Sequence, residues 1–325
     1  MMRACQTSDP AILKSKSSEN RNKESHHHSC CSNTTKPIET NQGKSEQLPL
    51  YTRYESCVPE YLKGNPYIIT GYRAQYTTHM CIRSLLKLHN ETFNIWTHAI
   101  GFIVFLVLSF ILFITALLFT GYFIHYIVYG VFSFGCLMCM ACSTIYHLFS
   151  SHENPTFTFI TQQMDYYGIS ILIVASFIPP LYMGFYCDPF FQILYITAIC
   201  ICGSVSLTVL SWPSFSKKDD RCLRTCIYLA MAVTGVVPLV HIFLFYPHNG
   251  ETLQLLGGII LMFILYSVGV LFYALQIPER WYPGAFDIFL SSHQIWHVFV
   301  LAAATVHFFT CSALYQQWEV SRGAC

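Results

Sequence analysis

Near the end of the chain, SSHQIWH (291–297) sets His293 and His297 four residues apart, which puts both imidazoles on one face of a helix. A third, His147, closes the stretch STIYH with Ser143 one turn before it, and Asp165 stands in QQMDYYGIS. Three neutral imidazoles leave an open fourth position on Zn2+, the catalytic rather than the structural pattern. Zinc held that way lowers the pKa of a water from 15.7 to about 7 and yields a nucleophile for an amide or ester carbonyl. A carboxylate such as Asp165 could hold the water, take its proton and offset the ion's charge. Ser143 could orient a ligand or an oxyanion. The plainer reading is that single histidines near helix ends reach for the membrane interface or bond a neighbouring carbonyl. That reading is kept for His98 and His241. His307, on the face of His293 but about 15 Å deeper than His297, stands between the plainer reading and a place in a pocket wall.

Composition says what must position these groups. The 325 residues are 54% hydrophobic and 11% charged, with a mean hydropathy of +0.44. Soluble domains carry about 25% charged residues, so this is a membrane protein on composition alone, and its spans of helical length make the expected fold all-α. Residues 1–50 are rich in Ser, Lys, Asn, Glu and Gln and cannot bury a core. No apolar leader precedes them, so the first span must act as its own insertion signal. Windows of ~19 residues mark seven spans of ~20, near 98–118, 127–149, 168–187, 190–210, 225–245, 255–275 and 293–314. Short connections predict a seven-helix bundle. Pro179-Pro180 and Pro238 are expected to kink the third and fifth spans.

Charge sets the expected orientation. Twelve Lys and Arg precede the first span, four (Lys217, Lys218, Arg221, Arg224) lie between spans four and five, and Arg280 precedes span seven. The opposite side has only Arg322. The positive-inside rule then places the N-terminus in the cytosol and the C-terminus in a lumen or outside. In that topology Ser143, His147, Asp165, His293 and His297 share one depth, at the cytosolic end.

Other features are weighed against simpler roles. Asn33-Thr-Thr and Asn90-Glu-Thr match the glycosylation pattern but would face the cytosol. His26-His27-His28 reads as a solvated tract. Cys136, Cys139 and Cys142 read as packing residues, and a Cys187–Cys311 disulfide near the outer face is a weaker expectation. Residues 80–95, with Ile82, Leu85, Leu86 and Leu88 beside Arg83 and Lys87, fit a short helix on the cytosolic leaflet or a plain juxtamembrane lead-in. The loop at 217–224 either contacts anionic headgroups or only fixes topology.

NETFNIWTH (90–98), STIYHLFSSH (143–152), MDYYGIS (164–170), IPERWYPGAFD (277–287) and SSHQIWH (291–297) together resemble the progestin and adipoQ receptor family. That family includes adiponectin receptors and is grouped with membrane hydrolases such as alkaline ceramidases. The likeness runs from about residue 50 to 315. The leader LYTRYESCVPEYLKGNPYIITGYRA is most similar to the family's Golgi-resident, Raf-kinase-tethering branch. The resemblance implies a zinc ion held by His147, His293 and His297, with Asp165 contacting the bound water and Ser143 in the family's SxxxH pattern.

The expected organisation is a disordered cytosolic tail (1–50), a juxtamembrane segment (51–97), the bundle (98–315) and a short lumenal or extracellular tail (316–325). Three function classes follow. A signalling anchor would hold a Raf-type kinase or a sterol-pathway protein at the Golgi through its tail. A zinc-dependent hydrolase would cleave a lipid amide such as a ceramide. A receptor would bind a lipid or protein ligand on the C-terminal side. Membrane lipids are partners in every case, and nucleic acid in none.

Overall fold

The computed structural model describes residues 48–119, 123–212, 221–247 and 249–321. The tail through Lys44, the triplet His26–His28, Asn33, the loop residues Lys217 and Lys218, and Arg322 lie outside them. Nine helices occur among the described residues: α1 (Thr78–Arg83), α2 (Thr92–Phe119), α3 (Phe123–Phe149), α4 (Pro155–Gly184), α5 (Pro189–Ser211), α6 (Arg221–Val233), α7 (Val236–Phe245), α8 (Gly250–Leu275) and α9 (Ser292–Ser321). With α6 and α7 taken as one and the short α1 set aside, α2 to α9 form seven apolar spans long enough to cross a bilayer. The chain is an all-α, seven-span helix bundle.

Six spans begin within six residues of the expected positions, but the third starts at Pro155, well ahead of 168. The stretch TFTFITQQMD is polar because its polar face packs inward: Thr158, Thr161, Gln163 and Asp165 are all buried. Asn154 caps the helix, its side chain accepting from the Thr156 and Phe157 N–H groups at 3.0 and 3.2 Å, with proline at the first position.

The prolines act through the carbonyls they leave unbonded. Pro238 cannot donate to residue 234, and the fifth span breaks there, between α6 and α7. Pro179 and Pro180 lie within α4, which continues through them. The Ser176 carbonyl, four residues before Pro180, accepts instead from His307 Nε2 at 2.7 Å. Such repair is what a dry environment demands of a freed backbone group.

A small cap covers the bundle end where α3 finishes and α9 begins. Its core is Val58, Ile68, Tyr72 and Ala74. The guanidinium of Arg73, buried in the cap, donates to the carbonyls of His147 (2.8 Å) and Leu148 (3.0 Å) and to Ser84 Oγ (2.7 Å), capping the C-terminus of α3. The α8–α9 loop belongs to the same unit. Its Asp287 accepts from the N–H groups of Ile69 (2.9 Å) and Thr70 (2.7 Å). Its Glu279 accepts from Asn65 (2.9 Å), and from the N–H (2.8 Å) and hydroxyl of Ser292, holding the start of α9. Residues 80–95 are divided between α1, a 3-10 turn at Ser84–Leu86 and the first turn of α2.

The Cys187–Cys311 pairing is not made. Cys311 is a free, buried thiol, and Cys187 is disulfide-bonded elsewhere. Cys136, Cys139 and Cys142 are buried and free, the first two in the main core with Phe105, Phe132 and Met140.

Candidate metal centre

Three helices meet at the site. The last turn of α3 presents His147, the first two turns of α9 present His293 and His297, and the first turns of α2 back them. The three imidazoles have ligand atoms all within 4.8 Å of one another. The Nε2 atoms of His147 and His293 lie 3.3 Å apart. Two ligand nitrogens on tetrahedral zinc at Zn–N bonds of about 2.05 Å stand about 3.3 Å apart, so this edge has the right length for a shared ion.

The far nitrogens explain why the near ones are available. His147 Nδ1 sits 2.8 Å from Glu91 Oε2. A carboxylate accepts, so Nδ1 carries the hydrogen and Nε2 keeps its lone pair. His297 Nδ1 lies 3.2 Å from the Asn94 carbonyl and 3.2 Å from the Thr97 hydroxyl, which fixes the same tautomer. This is the outer-shell arrangement that orients metal-bound imidazoles and raises their basicity. Burial pushes the Glu91 carboxyl up, but hydrogen bonds with His147 and Asn94 outweigh it and hold the group below the usual carboxylate range. Glu91 is therefore an anion, able to balance a cation one imidazole away. Asn94 Nδ2 donates to it at 2.6 Å.

Of the residues singled out by the sequence, His147, His293 and His297 come together, with His147 and His297 buried. Asp165 is buried near His147 and the Ser143 hydroxyl, but it is outside the tight nitrogen group. Ser143 Oγ is buried and makes no well-formed hydrogen bond among the described residues. Gly168 sets how close Asp165 can come: a Cβ there would stand 3.0 Å from the Cys139 Cα, so glycine lets α4 ride against α3. Asp165 and His293 share the wall of a cavity of about 160 Å3 that runs between α4, α6, α8 and α9, lined otherwise by groups such as Leu172, Phe263, Tyr266 and Trp296, with Arg224 over the Tyr166 ring at 4.5 Å.

Sequence reasoning missed the support. From the sequence, Glu91 was given no role at the metal, and His98 was given the plainer one. In the structure His98 stacks on His297, ring centroids 3.7 Å apart and planes 7° apart, and neither of its nitrogens has a hydrogen-bond partner among the described residues. The signal was present: Glu91, Asn94, Thr97 and His98 recur at three- and four-residue intervals at the head of an otherwise apolar span, one polar stripe on a helix face. His241 and His307 lie away from this centre. His241 Nδ1 meets the Tyr195 hydroxyl at 2.9 Å, and His307 holds Ser176.

Comparison with known proteins places these residues in context. The profile of the family described as haemolysin-III related matches residues 86–308. The chain is 36% identical over 253 residues to the adiponectin receptor protein of Drosophila melanogaster, covering 77% of this chain and 56% of that one. It therefore spans little more than half of the fly protein's length. It is 35% identical over 287 residues to heptahelical transmembrane protein 3 of Arabidopsis thaliana (77% and 83% covered). Against progestin and adipoQ receptor-like protein 1 of Caenorhabditis elegans the identity is 33% over 288 residues (85% and 66% covered). With the matched segment running from the turn before α2 well into α9, the chain belongs to the haemolysin-III-related family of progestin and adipoQ receptor-like membrane proteins.

Proposed function

We propose that this chain is a receptor-like signalling protein built around one zinc ion at the cytosolic end of its bundle, with the N-terminus in the cytosol. The observation that carries the reading is the 3.3 Å approach of the His147 and His293 Nε2 atoms, with Glu91 on the far nitrogen of His147 leaving that imidazole's lone pair for a cation. The charge count supports the orientation, and relatives named as receptors support the signalling class. The resemblance of the leader to the Golgi-resident branch supports a Golgi location and a tail that holds a Raf-type kinase or a sterol-pathway protein, restraining a MAP-kinase cascade. Metal analysis of the detergent-purified chain tests the centre. About one zinc per chain is expected, and a folded wild-type protein without zinc would sink the reading. Deleting residues 1–47 tests the anchor, because the cut spares Arg73 and the cap. Loss of kinase recruitment with an intact bundle is expected; unchanged recruitment counts against the tail.

A second reading, zinc-dependent lipid amide hydrolysis, is favoured by one observation: the cavity wall holds both His293 and Asp165 and is otherwise mostly apolar, which suits an amphiphile with a cleavable carbonyl. Bound zinc supplies Lewis acidity and a water of lowered pKa. The chain's own part is to position the metal through His147, His293 and His297, to accept a proton at Asp165 and to orient the polar group near Ser143. The apolar walls hold the tail and keep bulk water away. Asp165→Asn should abolish ceramide turnover and leave zinc bound; unchanged turnover would rule Asp165 out as the base.

A further inference from the structure

The end of the molecule that carries the metal centre also carries exposed apolar side chains outside every span. In the segment before α2, Leu86 is 85% exposed, and Ile82 and Leu88 are also open. In the α8–α9 loop, Trp281 and Tyr282 are each 65% exposed, with Leu290 beside them in exposure. The two segments are about 190 residues apart in sequence, yet both flank span ends at the same side, because α2 and α9 start where α8 stops. The first turn of α2, directly after the first segment, meets the loop through the Phe93–Phe289 ring contact, centroids 4.8 Å apart.

The exposed charge among these residues is of one sign. Arg83, Lys87 and Arg280 are exposed. The acids of the loop, Glu279 and Asp287, are buried on internal donors and lend nothing to the outer face. Between Met80 and Asn90 there is no acid at all. Apolar and aromatic groups at span ends, interleaved with cations alone, have the composition of a surface that settles into lipid headgroups.

We propose that these two segments form one collar that binds anionic phospholipid headgroups in the leaflet at the metal-site end. The collar is rigidly tied to the centre. Trp96 Nε1 donates to the Leu85 carbonyl at 2.9 Å, and the same turns of α2 carry Asn94 and Thr97, with Glu91 immediately before them. Glu279 in the other segment holds the first residue of α9, one position before His293. Headgroups on the collar therefore set the depth of the metal centre relative to the leaflet. The collar does not depend on what chemistry the centre performs.

The test uses the full chain in nanodiscs of four parts phosphatidylcholine to one part phosphatidylserine, with bromine on the acyl chains of one lipid or the other. The Trp281 contribution is the difference between wild type and Trp281→Phe. About fivefold preference per cation follows from the attraction of Lys and Arg to an anionic surface. Quenching per mole should thus be several-fold greater from brominated phosphatidylserine, and the preference should vanish in R83Q/K87Q/R280Q. Equal quenching by both lipids would overturn the anionic assignment. No quenching by either would show that the face meets water or a protein, and overturn the lipid itself. If the triple variant fails to fold, 1 M salt on the wild type serves instead, and a preference that survives it overturns the proposal.

Discussion

Histidines sit at both ends of this bundle, in helices of similar apolarity, and their surroundings differ. Away from the capped end, His307 and His241 each stand apart from other imidazoles among the described residues. His307 repairs the Ser176 carbonyl that Pro180 leaves free, and His241 meets Tyr195 amid rings of Phe185, Phe191, Phe245 and Tyr246. At the capped end His147, His293 and His297 bring ligand nitrogens within 4.8 Å of one another, while Glu91, Asn94 and Thr97 hold the opposite nitrogens of His147 and His297. A lone imidazole set against a carbonyl, as His307 is, satisfies backbone in a dry medium. A group of three whose ligand nitrogens converge has a shared cation as its natural partner. The residue type is the same at both ends; the partners decide what it does.

The largest expected effect separates the two ends outright. His293→Ala/His297→Ala should bring zinc content from about one per chain to background, whereas His241→Phe should leave it unchanged; equal loss in both would erase the distinction. Glu91→Gln comes next. Without the anion behind His147, zinc affinity should fall about 10- to 100-fold by competition with a chelating dye, and an unchanged affinity would reduce Glu91 to a surface charge. His307→Phe acts on the other side of the comparison. It leaves a buried carbonyl without its donor, at a cost of about 1–3 kcal/mol, read as a lower melting temperature with zinc content intact.

His89 sharpens the contrast, since it lies at the metal end but is solitary, with Nε2 3.2 Å from the Ser84 carbonyl. Burial, with Arg73 adding to it, pushes its pKa down to about 3. An unfolded histidine takes a proton near 6.5. A lowered folded pKa means that the unfolded state binds more protons between about 3 and 6.5, so stability falls as pH drops through that window. The loss from this group is about 1 kcal/mol at pH 5.5. Chemical denaturation at pH 7 and 5.5 should show a slope that His89→Gln reduces; an unaltered slope would assign the acid sensitivity elsewhere.

Much of the architecture was legible because a bilayer allows few solutions. Six spans begin close to where hydropathy put them. The third did not, because Thr158, Thr161, Gln163 and Asp165 lower the hydropathy of a segment whose polar face packs inward. The break after α6 came at the carbonyl that Pro238 leaves unbonded, four residues before the proline. At the centre, spacing exposed His293 with His297 and Ser143 with His147, since i and i+4 share a face. Glu91 was passed over because a carboxylate at the head of an apolar span reads as an ordinary interfacial charge until its partner, 56 residues away, is seen.

By itself, the sequence determined the number of spans, their approximate limits and the identity of the histidines able to bind metal, because apolar length and helical periodicity are local properties. Only the tertiary structure decided that Glu91 stands behind His147, that His98 stacks on His297, that Arg73 closes α3 and that Glu279 and Asp287 turn inward. Each of those depends on which helix ends meet. That is a matter of packing between distant segments, and no window of residues contains it.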